Sequence, residues 1–213
     1  MSKTTRCLVA VAAILIAIAT LLPLWRISLV APQYPEGLGM QITMRTIRGA
    51  SEFDLDNINH LNHYIGMRVI EPADMPELRY MSWIALAIAA AGLGTAALGR
   101  RAALYAWTGL FGAAGVVGMS DFWWRTYTFG HTLDFEHAAI QIPGLAYQPP
   151  ILGVKQIANF TAASWPAAGG ILIGFAAALT ALAVWRSLDA RAARPALGSP
   201  ITRLGAAPTS AAA

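Results

Sequence analysis

Charge is scarce in this sequence. Only 12% of its 213 residues are Asp, Glu, Lys or Arg, against 56% hydrophobic residues, and the mean hydropathy is +0.52. Such a balance excludes an ordinary water-soluble domain and reads as a membrane protein. Cysteine is nearly absent: Cys7 stands alone, which rules out an intrachain disulfide and a cysteine-rich metal site. The long apolar runs hold no histidine, so a transmembrane haem gripped by paired histidines is not expected. They hold no Asp, Glu, Lys or Arg either, which argues against a proton relay, an ion pathway or a charged-substrate transporter. Neither a Gly-x-x-x-x-Gly-Lys-Ser/Thr phosphate loop nor a Gly-x-Ser-x-Gly nucleophile elbow occurs, and nothing in the sequence proposes an enzyme.

What is present begins with four apolar runs, Cys7 to Leu24, Met81 to Gly99, Ala102 to Met119 and Ala167 to Trp185. Each is long enough to cross a hydrocarbon core of roughly 30 Å at about 1.5 Å per residue. They predict an all-α integral membrane protein, a four-helix transmembrane bundle. Its folded periplasmic cap would be made of two outer loops with short helices and short strands. The expected segments are a first membrane helix (1–31), outer loop 1 (32–79), a membrane helical hairpin (80–120), outer loop 2 (121–166), a fourth membrane helix (167–186) and a disordered cytoplasmic tail (187–213). Lys3, Arg6 and the Ala17-Ile18-Ala19 site give the first run a signal-peptide aspect, with cleavage as the alternative. The run continues through Leu21, Leu22 and Leu24, and is read as an anchor.

Lys3, Arg6, Arg100, Arg101, Arg186, Arg191, Arg194 and Arg203 flank the runs on one side. By the positive-inside rule both termini are then cytoplasmic, in a multi-pass protein. The pI near 9.6 comes from these ends and not from a nucleic-acid surface. Small residues at Ala89, Gly92 and Ala96, at Gly112, Gly115 and Gly118, and at Gly170, Gly174 and Ala178 read as close helix packing, with a homo-oligomer contact as the alternative.

All four histidines, His60, His63, His131 and His137, fall in the outer segments. In Asp56 to Met67, a short helix capped by Asp56 and ended by Gly66 would put Ile58, Leu61 and Ile65 on one face and His60, His63 and Tyr64 on the other. Met67 follows the glycine, so a His, His, Met donor set suited to Cu(I) is geometrically available. An ordinary solvated helix face is the alternative. Elsewhere, Met40 to Met44 alternates like a strand and pairs with Ile27 to Val30, whereas Gly153 to Phe160 reads as a short amphipathic helix returning to the membrane. Trp123, Trp124 and Trp165 read as interfacial aromatics.

Three stretches form a recognisable set: Ala-Pro-Gln-Tyr-Pro-Glu-Gly-Leu at 31–38, Ile-Asn-His-Leu-Asn-His-Tyr-Ile-Gly-Met at 58–67, and Tyr-Thr-Phe-Gly-His-Thr-Leu-Asp with Pro-Gly-Leu-Ala-Tyr-Gln-Pro-Pro at 127–134 and 143–150. They resemble the NosB-like family, four-helix bacterial membrane proteins encoded beside atypical (clade II) nitrous oxide reductases and their copper-maturation factors. The likeness covers most of residues 20–170. The chain departs from it at Thr132-Leu133-Asp134-Phe135, where Asn-Leu-Asp-Pro is commoner, and at Leu145, where Met is commoner. The resemblance implies a role in nitrous oxide respiration; with no catalytic motif in the sequence, the expectation is a non-enzymatic accessory protein of the bacterial inner membrane that assists maturation, copper supply or electron supply of a periplasmic copper enzyme, nitrous oxide reductase, or meets its copper chaperone. Copper would be met by His60, His63, Met67 and His131. A structural subunit that docks a partner without metal, and a quinol-binding electron-transfer subunit, are the rivals.

Overall fold

The computed structural model of the protein describes residues 1–134, 136, 138–139 and 146–192. The histidine at 137, the Pro-Gly-Leu of 143–145 and the tail from 193 lie outside the described residues. Five helices and one five-stranded antiparallel sheet make up the described fold.

The fold is therefore not the all-α four-helix bundle expected from the apolar runs. The first run does not stay helical to Leu24: α1 (Lys3–Ala19) stops, and Pro23 leads the chain out into a strand, β1 (Trp25–Ala31). At 17 residues α1 is about 25 Å long, short of the roughly 30 Å core. Among the described residues, three helices are long and apolar enough to cross a membrane: α3 (Glu77–Leu98), α4 (Arg101–His131) and α5, which runs over Ala168–Ala192. α1 nonetheless lies at the centre, packed against α3 and α5. Val9, Ala12, Ala13, Ile16 and Ala19 point one face of it into the core they share with Ile88, Ala89, Leu104, Trp107 and Ala176.

The polar segments form the sheet, in the order β3-β2-β1-β5-β4. β1 and β2 (Tyr34–Ile42) are a hairpin with Ile27 opposite Met40, the pairing expected from alternation, although β2 starts well before Met40. β3 (Ile47–Gly49) adds to its edge. The second outer segment supplies β4 (Gly153–Ile157) and β5 (Phe160–Pro166), joined by the two-residue turn Ala158-Asn159 with Ala158 at φ 54°. The amphipathic helix expected over 153–160 is instead this hairpin. Its reason lies in β5, where Phe160, Ala162 and Ser164 alternate inward and Thr161 to Pro166 pair with β1 from Val30 to Trp25.

One sheet thus welds both outer segments together. The weld continues into the bundle, because the Leu24 and Pro23 carbonyls accept from the Ala167 and Gly169 amides at 2.9 and 2.8 Å, at the start of α5. α4 is 31 residues, about 46 Å, and does not end near residue 120. Its last turns leave the membrane-length core and pack Phe122 and Phe129 against the cap. At the opposite end, Arg6 donates to the Ala96 and Ala97 carbonyls at 2.6 and 2.9 Å, and the Met1 amine to Gly99 at 2.7 Å. The basic residues Lys3, Arg6, Arg100 and Arg101 therefore gather at the end away from the sheet.

Candidate functional site

The helix α2 (Asp54–Tyr64) carries the histidine stretch and lies over the sheet. Ile58, Leu61 and Ile65 are buried in the cap core. Asp54, not Asp56, ties its start to β2, accepting from the Gly39 and Ser51 amides at 2.9 and 3.1 Å. Asn59 clamps the chain that follows: it accepts from the Ile70 amide at 2.8 Å and donates to the Ile70 carbonyl at 3.2 Å. Asn62 is buried and donates to the Arg68 carbonyl at 3.4 Å. Gly66 takes φ 75°, and a side chain there would press within 2.5 Å of the Asp134 carbonyl oxygen, whose own amide donates to Gly66 at 2.8 Å. The two outer segments touch at this point.

Once those residues are assigned to packing and clamping, His60, His63 and Tyr64 are left over. Both histidines are exposed and neither imidazole hydrogen-bonds to a described residue; Tyr64 is exposed beside His63, with ring centroids 6.4 Å apart. Three positions apart on a helix, the two imidazoles are neighbours. Met67 is placed differently. Its amide returns to the Asn62 carbonyl at 2.8 Å, and its side chain packs with the cap core and lines a cavity there. The thioether is therefore half-buried against the core side chains, whereas the imidazoles are exposed. His131 ends α4, stacked on Tyr127 at 4.0 Å with Nδ1 beside the Tyr127 carbonyl at 2.9 Å. It shares no hydrogen bond or ring contact with His60 or His63 among the described residues. Nor do three or more His, Cys, Asp or Glu side chains converge among the described residues.

Two features escaped the sequence reading. The first is Tyr147, delivered to the cap core where the chain crosses the last turn of α4. Its amide donates to the Gly130 carbonyl at 2.9 Å, and a side chain at Gly130 would collide with the Gln148 backbone. Tyr147 is 5% exposed and its hydroxyl has no hydrogen-bond partner among the described residues, a state that costs about 1–3 kcal/mol when left unmet. Burial pushes its phenol above the ordinary 10.0. An aromatic within Pro-Gly-Leu-Ala-Tyr-Gln-Pro-Pro was visible, but nothing local said which way it pointed. The second is an apolar groove of about 1000 Å³ between α4 and α5, lined by Gly112, Gly115, Met119, Trp123 and Trp124 and by Ala177 and Ala181.

Fold and site together define a helix bundle of membrane-crossing length topped by a single antiparallel sheet, with an exposed histidine pair on the helix that covers that sheet. No family, curated protein or solved structure matches the chain.

Proposed function

We propose that the chain is a non-enzymatic accessory protein of the bacterial inner membrane, with both termini cytoplasmic and the sheet in the periplasm. Its cap would meet a periplasmic copper protein, a nitrous oxide reductase or its chaperone, and His60 and His63 would supply two ligands to a copper ion that the partner completes. The orientation rests on the gathering of basic residues at the end away from the sheet. The observation that carries the site is the pair itself: two imidazoles without a hydrogen-bond partner among the described residues, three positions apart, on a helix whose Asp54, Ile58, Asn59, Leu61 and Asn62 are tied into the cap. Two imidazoles do not close a coordination sphere, which suits transfer better than storage.

The test is a competition titration of the full-length protein with a Cu(I) chelator. His60→Ala and His63→Ala should each weaken binding about tenfold, roughly 1.4 kcal/mol, whereas Met67→Leu, which alters a core-facing side chain, should leave it unchanged. Equal affinity in the wild type and the double histidine variant would remove copper from the account and leave partner docking.

A further inference from the structure

The cap holds a cavity of about 100 Å³ between α2 and the sheet, lined by Met40, Ile58, Leu61, Met67, Tyr147 and Phe160 among others. It lies on the inner side of α2, away from the exposed histidines. Its walls are almost entirely apolar. The polar side chains lining it are Asn62, whose amide nitrogen already donates to the Arg68 carbonyl, and Tyr147, 5% exposed and with its hydroxyl unpaired among the described residues. A buried hydroxyl without a partner in a folded core is uncommon and calls for an occupant.

Water alone suits this cavity poorly. A buried water needs roughly two to four polar partners, and this lining offers the phenol and little else. A small molecule with an apolar body and one acceptor atom suits it well: the body meets the aliphatic and thioether walls, and the acceptor takes the phenol proton. Size sets the class further. An engineered cavity of about 150 Å³ accepts benzene, so the present one takes about four or five heavy atoms.

We propose that this cavity is a binding site for a small uncharged molecule with a single hydrogen-bond acceptor, fixed by the Tyr147 hydroxyl and cradled by Met40 and Met67. Ile58, Leu61 and Asn62 belong to α2, so occupancy strengthens the seat of the helix that carries His60 and His63. The site stands independently of any copper chemistry at those histidines.

Tetrahydrofuran and cyclopentane test it, being rings of one size that differ in the acceptor oxygen. The full-length protein in detergent, labelled with ¹³C at the methionine methyl groups, is titrated with each. Met40 and Met67 signals, assigned from Met40→Leu and Met67→Leu, should shift saturably with both rings. The ratio of the two affinities should fall about tenfold in favour of cyclopentane on Tyr147→Phe, a comparison in which partition of each ring into the micelle cancels. A second reading needs no variant: the Tyr147 ring carbon bearing oxygen should shift with tetrahydrofuran and not with cyclopentane. An unchanged ratio, an equal response of that carbon to both rings, or methionine signals that never saturate would each overturn the site.

Discussion

Two small-residue faces of the bundle look alike in the sequence and differ in the structure. At Gly92, on α3, an added Cβ would lie 2.7 Å from the Trp107 ring and 2.9 Å from the Ala13 side chain. At Gly112, Gly115 and Gly118, on α4, it would meet nothing within 4 Å. The missing side chain at Gly92 is what lets Trp107 lie flat in the seam and donate to the Ile88 carbonyl at 2.8 Å. Gly112 and Gly115 line the open groove instead. In line with this, 39% of the most apolar stretch of α3 is buried within the chain but only 11% of that of α4. A glycine stripe therefore states how near a neighbour can come, and not whether this chain supplies one.

The sharpest way to break the comparison is to remove what fills the seam. Trp107 is 3% exposed and its indole is hydrogen-bonded, so Trp107→Ala should cost about 3–5 kcal/mol of unfolding free energy in mixed micelles. A loss below about 1 kcal/mol would mean that α3 and α4 are not held together at this point.

A matched pair of substitutions then weighs the two faces directly. Gly92→Ala forces a methyl into the Trp107 ring and should cost about 1–3 kcal/mol. Gly115→Ala meets open space and should be neutral or gain up to about 1 kcal/mol from helix propensity. Similar penalties at both positions, measured in the same unfolding assay, would show that the groove is closely packed in the membrane after all.

α3, α5 and the first part of α4 were legible because their signal is long and local: they follow from uninterrupted apolar runs bounded by Arg100, Arg101 and Pro166, whereas the last turns of α4, beyond Met119, lie outside its run and read as outer loop. The sheet was half legible. β1 and β2 carry enough alternation at Ile27, Met40 and Ile42 to be read as a pair, but β5 is Phe-Thr-Ala-Ala-Ser-Trp-Pro, poor in branched residues, and its strand character comes from its bonds to β1, about 135 residues away in sequence. Likewise the inward face of α2 was legible from Ile58, Leu61 and Ile65, and so was the outward placing of His60 and His63. Met67 was not, because Gly66 at φ 75° turns the chain just before it and Asn62 draws it back. Helical arithmetic stops at such a residue. Tyr147 was not legible either, since its direction is set by the close passage over Gly130.

The smallest expected effect lies in the cap, where the comparison is between a buried group that is satisfied and one that is not. Ser164, 0% exposed, accepts from the Trp25 indole at 2.7 Å and donates to the Ile151 carbonyl at 3.1 Å. Tyr147 is 5% exposed and its hydroxyl has no partner among the described residues. Tyr147→Phe keeps the ring and deletes the unpaired hydroxyl, so the unliganded protein should gain about 1 kcal/mol near neutral pH. The sign with pH follows from the raised phenol. Folding favours the neutral form, so the wild type is unaffected below the unfolded value of 10.0 and loses stability as pH rises above it towards the folded value. The variant has no such group. Unfolding followed between about pH 8 and pH 11 should therefore show a gap between Tyr147→Phe and wild type that widens above about pH 10. A gap that stays constant would mean that the phenol is solvated in the folded protein, and that the cap leaves Tyr147 open to water.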